Sequence, residues 1–165
     1  MKIVAMIPAR IGSERLKYKN LRLLAGKPVI SYAIEAAKSA NIFNQVIVNS
    51  DEKIFEKIAF RYNADFYLRP KHLGSSNTQS DEVVFDFLSK NNADILVWVN
   101  PIAPLQNGNE INRAVNFMID HNYDTVITSK SEKFHSLYDN APLNFKIEEK
   151  FAKTQDLKPV KSLVY

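Results

Sequence analysis

Through residue 128, short apolar runs alternate with stretches in which apolar side chains recur every three or four positions. Ile3 to Ile7 is apolar throughout, the pattern of a strand covered on both faces, as in a parallel sheet. Behind Pro28, a favoured first helical residue, Ile30, Ala33, Ile34 and Ala37 recur at helical spacing and predict a helix opening there. Gln45 to Asn49 predicts a second strand. Ile54, Phe55, Ile58, Ala59 and Tyr62 then form one stripe of a helix from Glu52 to about Tyr62, with Asp51 placed to cap its free amides. Asp65 to Leu68 is a brief strand running into Arg69-Pro70. After the polar segment Gly74 to Gln79, Val83, Val84, Phe87 and Leu88 predict a helix capped by Ser80. Ile95 to Val99 is the most hydrophobic run, expected near the centre of the sheet with Trp98 as packing, and it stops at Asn100-Pro101. Ile111, Ala114, Val115, Met118 and Ile119 predict a further helix, and Thr125 to Thr128 a further strand.

Strand and helix thus alternate four times, which predicts an α/β fold with a Rossmann-like, mostly parallel sheet flanked by helices. The expected division is an α/β domain over residues 1–129 and an irregular C-terminal arm over 130–165, where the rhythm stops. The apolar end Ser162-Leu163-Val164-Tyr165 gains little alone, so the expectation is a fragment, or an extension that packs against more chain or another subunit.

Composition narrows the classes. The net charge of +4 is modest and its basic residues are spread along the chain, so no nucleic-acid partner is expected. The absence of cysteine excludes a disulfide framework and thiolate metal sites and leaves the cytoplasm as the default. No apolar run approaches the roughly 18 residues of a membrane span, and Met1 to Ile7 is too short for a signal segment. His72, His121 and His135 show no ligand spacing.

The chemistry concentrates in Pro8 to Pro28, a loop directly behind the first strand. Its first part, residues 8–20, carries Arg10, Arg15, Lys17 and Lys19 with only Glu14 opposing, about three net positive charges, which suits a phosphate chain. Gly12 lies among these cations, where a bare backbone lets amides approach an anion. Neither a Walker lysine motif nor Gly-x-Gly-x-x-Gly is present.

Ile7-Pro8-Ala9-Arg10-x-x-Ser13, followed by Lys19-Asn20-Leu21 and Gly26-Lys27-Pro28, resembles the opening of the acylneuraminate cytidylyltransferase family, whose members make CMP-activated nonulosonic acids. Asn49-Ser50-Asp51, Leu68-Arg69-Pro70 and Asn100-Pro101-Ile102-Ala103-Pro104-Leu105 resemble later blocks of that family, in the same order along residues 3–128. The resemblance implies that Arg10, Ser13, Lys19 and Asn20 line a CTP site, with Arg10 and Lys19 stabilising charge in catalysis. It implies nucleotide contacts from Arg69, Thr78 and Ser80, and a substrate-facing position for Asn100, where the family has a longer glutamine. The implied partners are CTP and a sugar acid, with a homodimer in the complete protein. The implied cofactor is Mg2+, whose Asp-x-Asp ligands would lie downstream of Tyr165, leaving no metal ligand in this sequence. Ser75-Ser76-Asn77 replaces the family's Ser-Asp-Thr, and Thr154 stands where it has an arginine before Gln155-Asp156. The alternatives are a deoxy-octulosonate cytidylyltransferase, whose opening resembles Ser13-Glu14-Arg15-Leu16, and a non-catalytic nucleotide-binding module.

Overall fold

The structure, a computed structural model, describes residues 1–14, 16–147 and 152–163; Arg15, Val164 and Tyr165, named above, lie outside the described residues. The chain divides into two compact units, Met1–His121 and Asn122–Tyr165.

In the first unit, strands β1 (Ile3–Ala9), β2 (Gln45–Ser50), β3 (Asp65–Leu68) and β4 (Ile95–Trp98) form one sheet in the order β3-β2-β1-β4, every pair parallel. Helices α1 (Val29–Ser39), α2 (Ile54–Arg61), α3 (Ser80–Lys90) and α4 (Gly108–Asp120) alternate with them. Side chains alternate across a strand, and β1 divides them cleanly. Ile3, Ala5, Ile7 and Ala9 join Ile30 and Ile34 of α1, Phe55 of α2 and Ile111 and Val115 of α4. Val4 and Met6 face the other way, onto Ile47 of β2 and Phe87 of α3. Burial on both faces is what an unbroken apolar strand requires, and each larger side chain contributes about 1.5–3 kcal/mol there. No described helix is long and apolar enough to cross a membrane.

Several expectations are corrected. Ile95–Trp98 is an edge strand, not a central one, because Thr125 to Thr128 forms no strand and nothing among the described residues pairs with its outer side. Trp98 is consequently 40% exposed; it shares the sheet face of Val4 and Met6, which α3 alone covers. Pro28 precedes α1 as its extended N-cap, with the helix opening at Val29. Asp51 does not cap α2, which begins only at Ile54. At α3 the cap is Gln79, whose N–H donates to Glu82 Oε1 at 3.0 Å while its side chain accepts the Glu82 N–H, so Ser80 is the first helical residue. Gly108 opens α4. A Cβ there would come within 2.4 Å of Ser39 Oγ and 2.5 Å of the Ala40 nitrogen, so the missing side chain lets α4 close on the end of α1.

The second unit is less irregular than expected. β5 (Ser129–Glu132) pairs antiparallel with β6 (Val160–Leu163), and Leu137–Tyr138 pairs with Ala141–Pro142. Asn144 Nδ2 donates to the carbonyls of Phe134 and Lys158, each at 2.9 Å, and Leu157 is buried. Ser-Lys-Ser-Glu carries no apolar alternation, so its pairing left no pattern to read.

Candidate functional site

From β1 the chain moves outward through β2 and β3, then returns to the opposite side of β1 as β4. The connections leaving β1 and β4 therefore diverge, and in parallel α/β sheets ligands bind outside the carboxyl ends of the strands at such a switch point. Arg10 follows β1 directly and Asn100 lies just beyond β4, so the topology brings both to this place.

The β1–α1 loop is ordered by its own backbone. The N–H groups of Leu21 and Arg22 donate to the Tyr18 carbonyl at 2.8 and 3.1 Å, with Tyr18 in the left-handed region at φ 57°, and Val29 N donates to Arg22 O at 2.9 Å. Arg10, Ser13 and Lys19 are half-buried and Asn20 is buried. Among the described residues, neither the Arg10 nor the Lys19 side chain has an ion-pair or hydrogen-bond partner. Cations without a neighbouring carboxylate give the loop a net positive field, which favours an anion there. Asn20 Oδ1 is buried with no partner among the described residues, leaving an acceptor beside Lys19. A Cβ on Gly12 would meet nothing within 4 Å, so the space over that backbone is open.

Arg69 is placed differently. Only 4% exposed, it donates from Nη1 to Asn49 O at 3.1 Å and from Nη2 to Ala9 O at 3.0 Å, and Nη2 lies 3.6 Å from Asp51 Oδ1. Burial pushes the guanidinium below its ordinary pKa; Asp51 opposes that, and Arg10 adds to it. Thr78 Oγ1 donates to His72 O at 3.0 Å, and Ser80 is exposed at the start of α3. Asn100 Oδ1 accepts from Ile102 N at 3.1 Å, which leaves its amide nitrogen to donate outward. Four of the sequence candidates thus share the loop, Arg69 is tied to its base, Asn100 stands at the neighbouring strand end, and Thr78 and Ser80 lie on the connection into α3.

Two residues gain roles that spacing does not reveal. Asp51 is the partner of Arg69, and the only available signal was the two charges at the ends of what prove to be adjacent parallel strands. Asn49 is fully buried, its Oδ1 without a partner among the described residues and its Nδ2 3.2 Å from Met6 Sδ. An open cleft of about 660 Å³ lies at the ends of β2 and β3, lined by Asp51, Tyr67, Arg69, Lys71 and Asp86 among others. Arg10 and Lys19 do not line it. Among the described residues no three His, Asp or Glu side chains are grouped to hold a metal ion.

A family model described as Cytidylyltransferase matches residues 4–160. N-acylneuraminate cytidylyltransferase of Escherichia coli O18:K1:H7 is 38% identical over 115 residues, covering 69% of this chain and 27% of that protein. CMP-N,N'-diacetyllegionaminic acid synthase of Legionella pneumophila is 36% identical over 121 residues, covering 70% and 52%. The chain therefore spans about half the length of one relative and about a quarter of the other. Among solved structures, CMP:2-keto-3-deoxy-manno-octonic acid synthetase complexed with CTP superposes with a TM-score of 0.66 at 23% identity, over 78% of this chain and 51% of that one. That likeness is one of fold.

Proposed function

The chain belongs to the cytidylyltransferase family, and from that premise we propose that it supplies the CTP site for transfer of CMP to a nonulosonic, sialic-acid-like sugar acid with release of pyrophosphate. The observation that carries this reading is the two half-buried, uncompensated cations of the loop behind β1, Arg10 at the strand's carboxyl end and Lys19 further along.

The chemistry follows from the placement. The anomeric hydroxyl of the sugar acid attacks the α-phosphorus of CTP; the new P–O bond forms as the bond to the β-phosphate bridging oxygen breaks, and pyrophosphate leaves. Arg10 and Lys19 neutralise the phosphate charge that grows in that step, so the loop contributes positioning and electrostatics and no covalent intermediate. Ser13 and the free Asn20 acceptor complete the loop side of the nucleotide site. Thr78 and Ser80 form its wall, and the Asn100 amide nitrogen faces the sugar acid. The magnesium implied by family resemblance is assigned no step, since the described residues offer no ligand set. The reading carries with it a cytoplasmic location and a homodimer in the complete protein. Relatives at 36% and 38% identity that are named for nonulosonic acids favour that substrate class over a deoxy-octulosonate, for which the support is fold alone.

Calorimetric CTP binding, alongside pyrophosphate release, tests the reading. Charge-assisted hydrogen bonds contribute about 1.5–3 kcal/mol each, so Arg10→Ala and Lys19→Ala should each weaken CTP binding by roughly 10- to 100-fold. Unchanged affinity in both variants overturns the site. Binding without turnover in a chain of the relatives' full length assigns a non-catalytic nucleotide module instead.

A further inference from the structure

We infer that the side chain of Arg69 is a positioning element: it clasps the carboxyl ends of β1 and β2 and the segment leading to Thr78 into one frame, and so sets where Arg10 stands. The inference rests on the CTP-site reading for its functional consequence.

Arg69 follows the last residue of β3, and its backbone N–H donates to Ser50 O at 2.9 Å, continuing the pairing of β3 with β2. The side chain then crosses the strand ends, with Nε buried and unpartnered among the described residues. It bonds the Asn49 carbonyl of β2 at 3.1 Å and reaches the Ala9 carbonyl of β1 at 3.0 Å. That last carbonyl belongs to the peptide joining Ala9 to Arg10, so the clasp fixes the unit from which Arg10 departs. A guanidinium fork can hold two carbonyls in fixed directions, which a single ammonium cannot.

Asp51, itself buried, holds the fork in place from Oδ1. Its other oxygen faces the Lys71–Gly74 turn, where a Cβ on Gly74 would come within 2.3 Å of Oδ2 and 2.5 Å of Cγ. Only glycine lets that turn close on the carboxylate, so the connection carrying Thr78 and Ser80 is registered against the same pair. Removing one partner of a buried pair leaves the other charge stranded, so the clasp stands or falls as a unit.

Arg69→Lys, Arg69→Met, Asp51→Asn and Gly74→Ala, made in the full chain, test this. CTP affinity is measured well below the melting temperature, with amide hydrogen exchange in parallel. A displacement of about 1 Å at a site can cost on the order of 100-fold, so Arg69→Met should lose roughly 10- to 100-fold in affinity. Arg69→Lys should recover little of it. Exchange should quicken at Ile11 to Glu14 and Leu73 to Thr78 while Ile111 to Val115 of α4 stays protected. Because Arg69 acts through Arg10, adding Arg10→Ala to Arg69→Met should cost no more than about threefold beyond Arg10→Ala alone. Losses that multiply, with unchanged exchange, would make Arg69 a direct ligand and overturn the inference. Equally, a lowered melting temperature with CTP affinity intact would make it a merely structural residue. Should Arg69→Met not fold, Asp51→Asn and Gly74→Ala open the clasp from its other side and must show the same local exchange and affinity loss. If the unaltered chain binds no CTP, the CTP-site reading fails, and local exchange alone then decides whether the clasp exists.

Discussion

Tyr67 donates to Asp86 Oδ2 at 3.0 Å, and burial together with that carboxylate pushes its hydroxyl up to about 12. A pKa raised on folding means the neutral phenol is favoured in the folded state. Its contribution is therefore whole below the ordinary value near 10 and is lost as pH rises through about 12. Tyr67→Phe should cost about 0.5–1.5 kcal/mol at neutral pH and flatten the alkaline limb of denaturant-measured stability between those values. Ala25 offers the opposite effect. With Gly26 it makes the two-residue turn between Leu23–Leu24 and Lys27–Pro28, and both turn residues have positive φ, 47° and 84°. Asn-Gly is the favoured pair for such a turn, so Ala25→Asn should stabilise by roughly 0.5–1 kcal/mol in the same measurement. At this scale the charges were legible but not their directions. Arg10 and Arg69 both follow strand ends, yet one is left unpaired and the other enclosed; the difference is made by Asp51, whose meeting with Arg69 depends on strand order.

The helices were the most legible elements, because their apolar spacing reports the face they bury: Ile30, Ala33, Ile34 and Ala37 are all buried. The pattern is weaker at helix ends, where Ile54 and Ile119 turn out exposed. Caps were misread for a physical reason. Ser80 has the right chemistry, but Gln79 has Glu82 three residues ahead and can form the reciprocal pair. Asp51 was already engaged elsewhere. The sheet faces are unequal, one covered by three helices and the other by α3 alone, with Phe87 fully buried against Tyr67 edge to face at 5.9 Å. Phe87→Ala should therefore cost about 3–5 kcal/mol in urea unfolding, with no second helix among the described residues of that cluster to fill the gap.

Across the whole molecule, every residue assigned to the nucleotide lies within the unit Met1–His121. A chain ending at His121 should unfold in one cooperative transition, followed by circular dichroism, and keep CTP affinity within about threefold of the longer chain. The alternation that predicts the α/β class could be read along the sequence, but strand order could not. Hydrophobicity put Ile95 to Val99 at the centre, whereas β1 is interior because two later strands, β2 and β4, pair with its two edges. That arrangement has a consequence for synthesis. β1 leaves the ribosome before both of its neighbours, and one of those neighbours contains Trp98. Until Trp98 has cleared the exit tunnel, the row of N–H and C=O groups on that side of Ile3 to Ile7 has no partner, in a segment apolar enough to attract other nascent chains. The loop behind β1, though translated before the rest of the sheet, is thus among the last parts of its unit to acquire a rigid base, and the interval before it does is when chaperones matter most.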